Sequence, residues 1–379
     1  MQSSDPVTLA TDRIEVSVNC EIDQTFRVES VASMFDVSVA ERSAETFKVQ
    51  VPKPTEDWQI GAIVGPSGSG KSTVAREAYG KQLWEGARWP RGKSLLDGFD
   101  KSNDVKEITQ MLTAVGFSTV PAWVRPYHVL SNGQKFRCDL ARALLSNHEL
   151  IAFDEFTSVV DRTVAKIGSA AVAKSIRKGI VAKKFVAVTC HYDILEWLTP
   201  DWVLDMASGK LARGCLRRPC IELGIRRVKP KSAWPLFKRH HYLSGSLGPC
   251  IAAYVAFIDD QPVAFCAGGP MLGRKNFVRL TRTVVLPDFQ GVGIGSTLSD
   301  WTAARFAASG KRVAATTGNP AMIAKRQRSP RWRVHSVSRH GKPPTATFRT
   351  GKNNSDRYVG ALNRATVAFE YVPAADTAS

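Results

Sequence analysis

Residues 65–72 read GPSGSGKS, the spacing G-x-x-x-x-G-K-[ST], and each residue type there suits a chain of phosphates. Gly65, Gly68 and Gly70 let the backbone wrap phosphate oxygens with N–H groups, while Pro66, Ser67 and Ser69 shape the turn. Lys71 carries the charge for the β- and γ-phosphates, Ser72 a hydroxyl for magnesium, and Thr73 continues into a helix whose N-terminal dipole favours anions. Farther on, IAFDE at 151–155 is an apolar run ending in two acids. Asp154 suits magnesium, and Glu155 suits orienting and polarising an attacking water, a role that phosphoryl transfer to water requires. His191 follows the apolar run 185–188 and could touch a γ-phosphate.

A second glycine loop, QGVGIG, occupies residues 290–295. It fails the dinucleotide fingerprint G-x-G-x-x-G and fits [RQ]-x-x-G-x-[GA] instead. Gln290, Gly291, Val292, Gly293, Ile294 and Gly295 would offer backbone N–H groups to a pyrophosphate at a helix start. A third cluster is basic: residues 325–352 hold nine Lys and Arg and no acid, with Trp332 and Phe348 interleaved. Arg328, Arg331 and Arg333 could neutralise phosphates, and Trp332 could stack on an extruded base.

Elements must hold these groups in place. The reading places a strand at 60–64 before the first loop and a helix at 72–79 after it, with a helix at 135–145 following LSNGQ. Short alternating runs at 14–18, 26–31, 35–39 and 46–51 read as strands, ended by Pro52 and Pro54. A strand at 201–206 ends at the turn Ser208-Gly209, and 221–228 could begin a new domain. Beyond it come strands at 250–258 and 262–268 joined by a turn at Asp259-Asp260, then a strand at 277–286, a helix at 296–308 and a strand at 311–316. The fold class expected is α/β, in two domains at 1–212 and 213–379, and 379 residues are enough to bury two cores.

Charge separates the halves. Residues 1–209 carry 24 Lys+Arg against 26 Asp+Glu, a net −2, while residues 210–379 carry 28 against 8, a net +20. The second half therefore calls for a polyanionic partner, nucleic acid foremost. The first residues lack a basic and apolar leader, and no apolar run nears the ~20 residues of a membrane span. Seven cysteines without a regular framework suit a reducing cytosol, and a cytoplasmic location is expected. Cys215 and Cys220 with His240 and His241 match no strong zinc spacing.

In joint order, the first set of motifs resembles the ATP-binding-cassette (ABC) ATPases over roughly residues 10–210. The resemblance implies Walker A at 65–73, the signature at Ser131, Gly133 and Gln134, Walker B at Asp154 and Glu155, the D-loop at Asp161 and the switch at His191. It implies ATP and magnesium as cofactors and a head-to-tail homodimer through this domain. The sequence departs from the family at Asn132, where the signature has glycine, and at Phe156, where proline follows the catalytic glutamate. The stretch from Lys71 to Ser131 is short for the family. Gln82 and Gln110 both remain open for the Q-loop; Phe35, Phe47 and Trp58 do for the aromatic on adenine.

The second set resembles the GNAT acyltransferases over roughly residues 220–375, in a mixed α/β domain. That likeness implies an acyl-coenzyme A or related donor, its pantetheine on the strand backbone at Thr283, Val284 and Val285, extending to Leu286. WPLFKRHHYLSG at 234–245, TTGNPA at 316–321 and RSPRW at 328–332 further resemble the Mom-like phage DNA-modification proteins. That branch implies transfer of a carbamoylmethyl-like group to the exocyclic amine of adenine in DNA, with His240, His241, Tyr242, Ser244 and Arg282 as site candidates. Rival readings are an N-acetyltransferase for a protein or small molecule with a regulatory ATPase, the ATP-binding subunit of a transporter, and a DNA clamp with a non-catalytic GNAT fold.

Overall fold

The structure is a computed structural model describing residues 10–19, 25–35, 44–214, 221–241, 246–271, 273–340 and 364–373. The chain opens with β1 (Thr11–Asn19), α1 (Phe26–Phe35) and β2 (Ala44–Pro52), β1 and β2 pairing antiparallel along their whole length. The alternation at 26–31 predicts a strand, but α1 stands there, started by Thr25 Oγ1 accepting from Val28 N. Among the described residues it has no strand neighbour, and Phe26 is 84% exposed, so the alternation there serves no described sheet face. The run 35–39 falls, beyond Phe35, outside the described residues.

β3 (Ile60–Val64), α2 (Lys71–Tyr79) and β4 (Leu83–Trp84) come next, then α3 (Val105–Ala114), α4 (Val120–Trp123) and α5 (Asn132–Leu144). β5 (Leu150–Phe153), α6 (Arg162–Arg177), β6 (Lys184–Thr189), α7 (Leu195–Leu198), β7 (Trp202–Asp205) and β8 (Lys210–Arg213) follow. A six-stranded sheet runs β4-β5-β6-β3-β7-β8, parallel except for the β7–β8 edge. β3 and β5 are buried at every position, as parallel strands covered on both faces must be. Trp202 closes the sheet under Gly61, where a β-carbon would lie 2.1 Å from its ring. Trp58 packs edge-on against Trp202 and donates its indole N–H to Lys53 O, which makes it a core residue.

The remaining elements are β9 (Gly224–Val228), α8 (Pro230–Lys238), β10 (Ala252–Ile258), β11 (Gln261–Pro270), β12 (Phe277–Val285), α9 (Ile294–Ala308), β13 (Arg312–Thr317), α10 (Pro320–Gln327), β14 (Trp332–His340) and β15 (Arg364–Tyr371). They form a seven-stranded sheet, β14-β15-β13-β12-β11-β10-β9. The β10–β11 turn places Asp259 and Asp260 at φ 47° and 61°, a left-handed pair suited to a tight hairpin. α8 buries Trp234 and Phe237 against Phe265.

Two compact units divide the chain, Met1–Arg88 with Cys138–Pro219, and Trp89–Arg137 with Cys220–Ser379. The sequence reading keeps 89–137 wholly with the first domain; in the structure this segment packs with the second unit.

Candidate active sites

In the first unit the P-loop sits at the C-terminal edge of β3, where ligands of open α/β sheets bind. Gly70 caps α2 in the left-handed region at φ 79°, and a β-carbon there would lie 2.5 Å from the Phe47 ring. Of the aromatics open for adenine whose side chains are described, Phe47 lies against the loop and Trp58 is buried in the core. The side chain of Phe35 lies outside the described residues. Lys71 Nζ donates to Pro66 O at 2.7 Å, holding the lysine over the loop.

Ser72 and Asp154 meet. The hydroxyl donates to Asp154 Oδ1 at 3.0 Å, and the same oxygen accepts from Glu155 N at 2.9 Å. A hydroxyl and a carboxylate at the mouth of a phosphate loop are the hard oxygen ligands magnesium takes, so these residues fit the ion. Glu155 has φ 52° and Thr157 φ 71°, conformations that cost about 1–3 kcal/mol each and persist only when surroundings enforce them. The enforcement is visible at Phe156. Its N–H donates to Val188 O at 2.8 Å, and its ring, fully buried, packs edge-on against Phe153 and Phe185. A proline, with no N–H and no aromatic ring, could do neither.

Thr157 is a residue the sequence reading missed. Its hydroxyl lies 3.1 Å from His191 Nδ1, and His191 N donates to Thr189 Oγ1. Burial, then the Arg162 charge, holds His191 below the usual histidine pKa, so the ring is neutral near pH 7. Asp161 caps α6 by accepting from Val164 N at 3.0 Å. Ser131 and Gln134 form a reciprocal pair at the start of α5: Ser131 N donates to Gln134 Oε1 and Gln134 N to Ser131 Oγ. Gly133 lies between them. Gln82 precedes β4 and Gln110 lies in α3; Glu85 stands directly after β4 and pairs with Arg76.

In the second unit β12 is the strand on which the sequence reading places the acyl donor. It pairs with β13 only from Phe277 to Leu280, and beyond that point with β11 alone. A bulge at Thr281, between the Ala267–Arg282 and Gly268–Leu280 pairs, accompanies the parting. Among the described residues Thr283, Val284 and Val285 have no ladder partner on the β13 side, and apart from the Val285 carbonyl, which Gln290 Nε2 holds, their outward backbone groups can take an extended amide chain. α9 starts at the strand's end with Gly293 in the left-handed region at φ 107° and no side-chain cap. Gly291 has φ 92°. At Gly295 a β-carbon would lie 2.7 Å from Val285 Cγ2, so only glycine lets the helix start this close to the strand. Ile294 is buried beneath the loop. A bare helix N-terminus beside an open strand edge fits a pyrophosphate with an amide tail. Gln290 is the exception among the loop residues. Its side chain is committed inward, accepting from Ser118 N and donating to Val285 O and Thr119 Oγ1.

His240 is half-buried, and its Nε2 accepts from Arg239 Nε at 3.0 Å. Burial and the Arg239 charge lower its pKa, with the Asp288 carboxylate pulling the other way. His241 is buried with its ring against Trp234, which makes it a packing residue first. Arg282 donates to Thr281 O and Ser246 O. Tyr242 and Ser244 lie outside the described residues, as do Cys215 and Cys220. Among the described residues no cluster of His, Cys, Asp or Glu could hold a metal ion.

Trp332 corrects an expectation. It is 5% exposed, donates its N–H to Asp300 Oδ1 at 2.8 Å, and stacks edge-on with Tyr371. The Arg326 guanidinium lies 4.3 Å from its ring, bonded to Ser299 Oγ, and burial lowers that arginine to about 10. Stacking on an extruded base is closed to a side chain so enclosed. Arg328, Arg331 and Arg333 are exposed, whereas Phe348 lies outside the described residues.

Residues 221–326 match the Acetyltransferase (GNAT) family. The chain thus holds a GNAT domain beside its ATP-binding part. The latter is similar to the methionine import ATP-binding protein MetN of Cutibacterium acnes, 30% identical over 199 residues, 40% of this chain and 51% of that protein. It is also similar to the energy-coupling factor transporter ATP-binding protein EcfA1 of Bacillus subtilis, 26% identical over 225 residues, 50% of this chain and 77% of that one. The chain spans about half the length of the first curated relatives it matches. Among solved structures it resembles an ATP-binding cassette of an ABC transporter, at 19% identity and TM-score 0.35, covering 44% of this chain and 86% of the other. It also resembles the IAA acetyltransferase of Bacillus cereus, at 18% identity and TM-score 0.29, covering 40% and 100%. No helix among the described residues is long and apolar enough to cross a membrane.

Proposed function

We propose that this chain is an ATP-hydrolysing acyltransferase, using ATP with magnesium in the first unit and an acyl-coenzyme A in the second. The observation that carries the second half is the parted strand β12 running into the uncapped start of α9, with Gly295 against Val285. Ser72 and Asp154 would hold a magnesium ion, which would supply positive charge against the phosphates; Lys71 would neutralise them further, and Glu155 would orient water with neutral His191 nearby. ATP sandwiched between the P-loop of one copy and the α5 start (Ser131, Gly133, Gln134) of another closes a homodimer, and hydrolysis reopens it.

In the transferase the acceptor is an amine. Its nitrogen attacks the thioester carbonyl carbon, the C–S bond breaks, and the thiolate leaves with the electron pair. His240, neutral at pH 7, takes the amine's proton at Nε2 in place of the hydrogen bond from Arg239 Nε. Full-length chain supplied with labelled acetyl-coenzyme A, ATP and magnesium tests the reading. Label transfer to an amine-bearing acceptor that fails in Gly295→Val supports it; absence of acetyl-coenzyme A binding would sink it.

The charge of the second half favours DNA as the acceptor, and the Mom-like resemblance implies an adenine amine within it. Residues 210–379 carry the net +20, and Arg328, Arg331 and Arg333 are exposed around the start of β14. These arginines position phosphates and release counterions. Nucleosides from DNA of expressing cells, weighed by mass spectrometry, decide the matter. A new adenosine-derived mass lost in Gly293→Glu/Gly295→Glu supports DNA; unchanged DNA beside acetylated protein or small amines moves the acceptor there.

A further inference from the structure

Asp288 and Gln290, which lead into the donor loop, are held by α5 and the segment leading into it. Gln290 is the first contact: its Oε1 accepts from Ser118 N at 2.7 Å, while its Nε2 donates to Val285 O at 2.9 Å and Thr119 Oγ1 at 3.3 Å. One side chain thereby ties the last residue of β12 to the turn after α3. Gly116 is the second. It has φ 87°, and a β-carbon on it would lie 2.8 Å from Gln290 O, so this backbone approach exists only because the residue is glycine. Arg137 is the third: wholly buried, it donates Nη2 to Asp288 O at 3.1 Å, in the turn Pro287–Phe289 just before the loop.

Arg137 and the signature residues share a helix. α5 begins at Asn132 between Ser131 and Gly133, and Arg137 follows on the same rigid element about 8 Å along its axis. A buried guanidinium gripping a carbonyl, with the Asp288 carboxylate 4.0 Å away, is costly to displace, because its charge is compensated there and not by water. Any displacement of the α5 start therefore reaches the Asp288 carbonyl and, through the 116–119 turn, the Gln290 side chain. Donor phosphates bind the residues immediately after these two.

We propose that α5, Arg137 and Gln290 form one coupling element, so that ATP bound at the signature changes the affinity of the donor loop for acyl-coenzyme A. This rests on the reading of residues 291–295 as the donor loop and of α5 as part of the ATP site. Linkage makes the effect reciprocal: whatever factor ATP applies to the donor, the donor applies to ATP.

The test is calorimetric titration of acetyl-coenzyme A into the full chain carrying Glu155→Gln to slow hydrolysis, without and with saturating ATP and magnesium. A change in Kd of about fivefold or more is expected, the lower range of allosteric couplings. Added Arg137→Gln should still bind acetyl-coenzyme A and shrink that change below about twofold. Thr119→Val, a milder loss of one Gln290 partner, should give an intermediate factor and serves where Arg137→Gln does not fold. Equal Kd values with and without ATP would overturn the coupling alone. A full ATP effect surviving in both variants would overturn this route. A chain that binds ATP but no acetyl-coenzyme A would overturn the donor reading beneath it.

Discussion

Gly295 and Val285 approach so closely that a β-carbon on the glycine would meet Val285 Cγ2 at 2.7 Å. The contact brings the first turn of α9 against the last residue of β12. Gly295→Val should force the two apart. Acetyl-coenzyme A affinity should fall at least about tenfold, equivalent to about 1.4 kcal/mol, with ATP binding in the first unit unchanged. Titration calorimetry of both ligands on one preparation checks this; a variant with wild-type donor affinity contradicts the assignment of the loop.

Thr157 Oγ1 and His191 Nδ1 lie 3.1 Å apart, and Thr157 is buried at φ 71°. The hydroxyl fixes the ring's orientation beside the expected γ-phosphate. Thr157→Val keeps the shape and removes the bond, and ATPase kcat should drop about fivefold, the value of one ordinary hydrogen bond. Because burial lowers the His191 pKa from 6.5, the ring reaches half-protonation below pH 6.5. The acid limb of the rate attributable to His191 should therefore lie below pH 6.5 in wild type and move upward in Thr157→Val if the bond also helps exclude water. A limb centred at 6.5 or above in the wild-type pH–rate profile would refute the neutral-ring role.

How much of this was legible follows from where the information sits. Gly65, Lys71, Asp154 and Glu155 announce themselves because their chemistry depends on residue type and local spacing. The loop at 290–295 does so for the same reason, and the strands and helix around it fall within a few residues of the reading. Exposure is another matter. Trp58 and Trp332 each look like a ring awaiting a flat ligand, and both are core residues, since burial depends on partners such as Trp202 and Tyr371 far away in sequence. Phe26 to Val31 has strand alternation but forms a helix, because Thr25 caps it and no described sheet edge receives it. Gln290 reads as a loop residue toward the donor, and its side chain instead faces Ser118, 172 positions earlier. No local pattern encodes that pairing.

Phe156 occupies the position where proline follows the catalytic glutamate in the ABC ATPases. Its N–H bonds to Val188 O and its ring fills the space between Phe153 and Phe185. Phe156→Pro, which restores the family's residue, should destabilise this chain rather than improve it. Emptying a buried aromatic site costs about 3–5 kcal/mol, and the lost backbone bond adds to that. Chemical denaturation followed by tryptophan fluorescence gives the number; a change under about 1 kcal/mol would mean the turn relaxes around the cavity.

Asp201 holds the sheet's edge by charge. Its Oδ2 accepts from Gln59 N and Ile60 N at 2.8 and 2.9 Å, and both its oxygens bond the Arg177 guanidinium. Burial alone would raise its pKa, but Arg177 and the two N–H groups outweigh it and hold the carboxyl below 3.8. The sign then follows. The unfolded chain binds the proton more readily, so the stabilisation is complete above the ordinary carboxylate value and is lost as pH falls through 3.8 toward the lower folded value. Asp201→Asn should remove about 1–3 kcal/mol at pH 7, the range for hydrogen bonds to a charged group. At pH 3 and below the wild type should lose much of its advantage over the variant. Denaturant midpoints for both proteins at pH 7, 4 and 3 measure this directly, and a gap that stays constant across the series would show that geometry, not the carboxylate charge, supplies the stability.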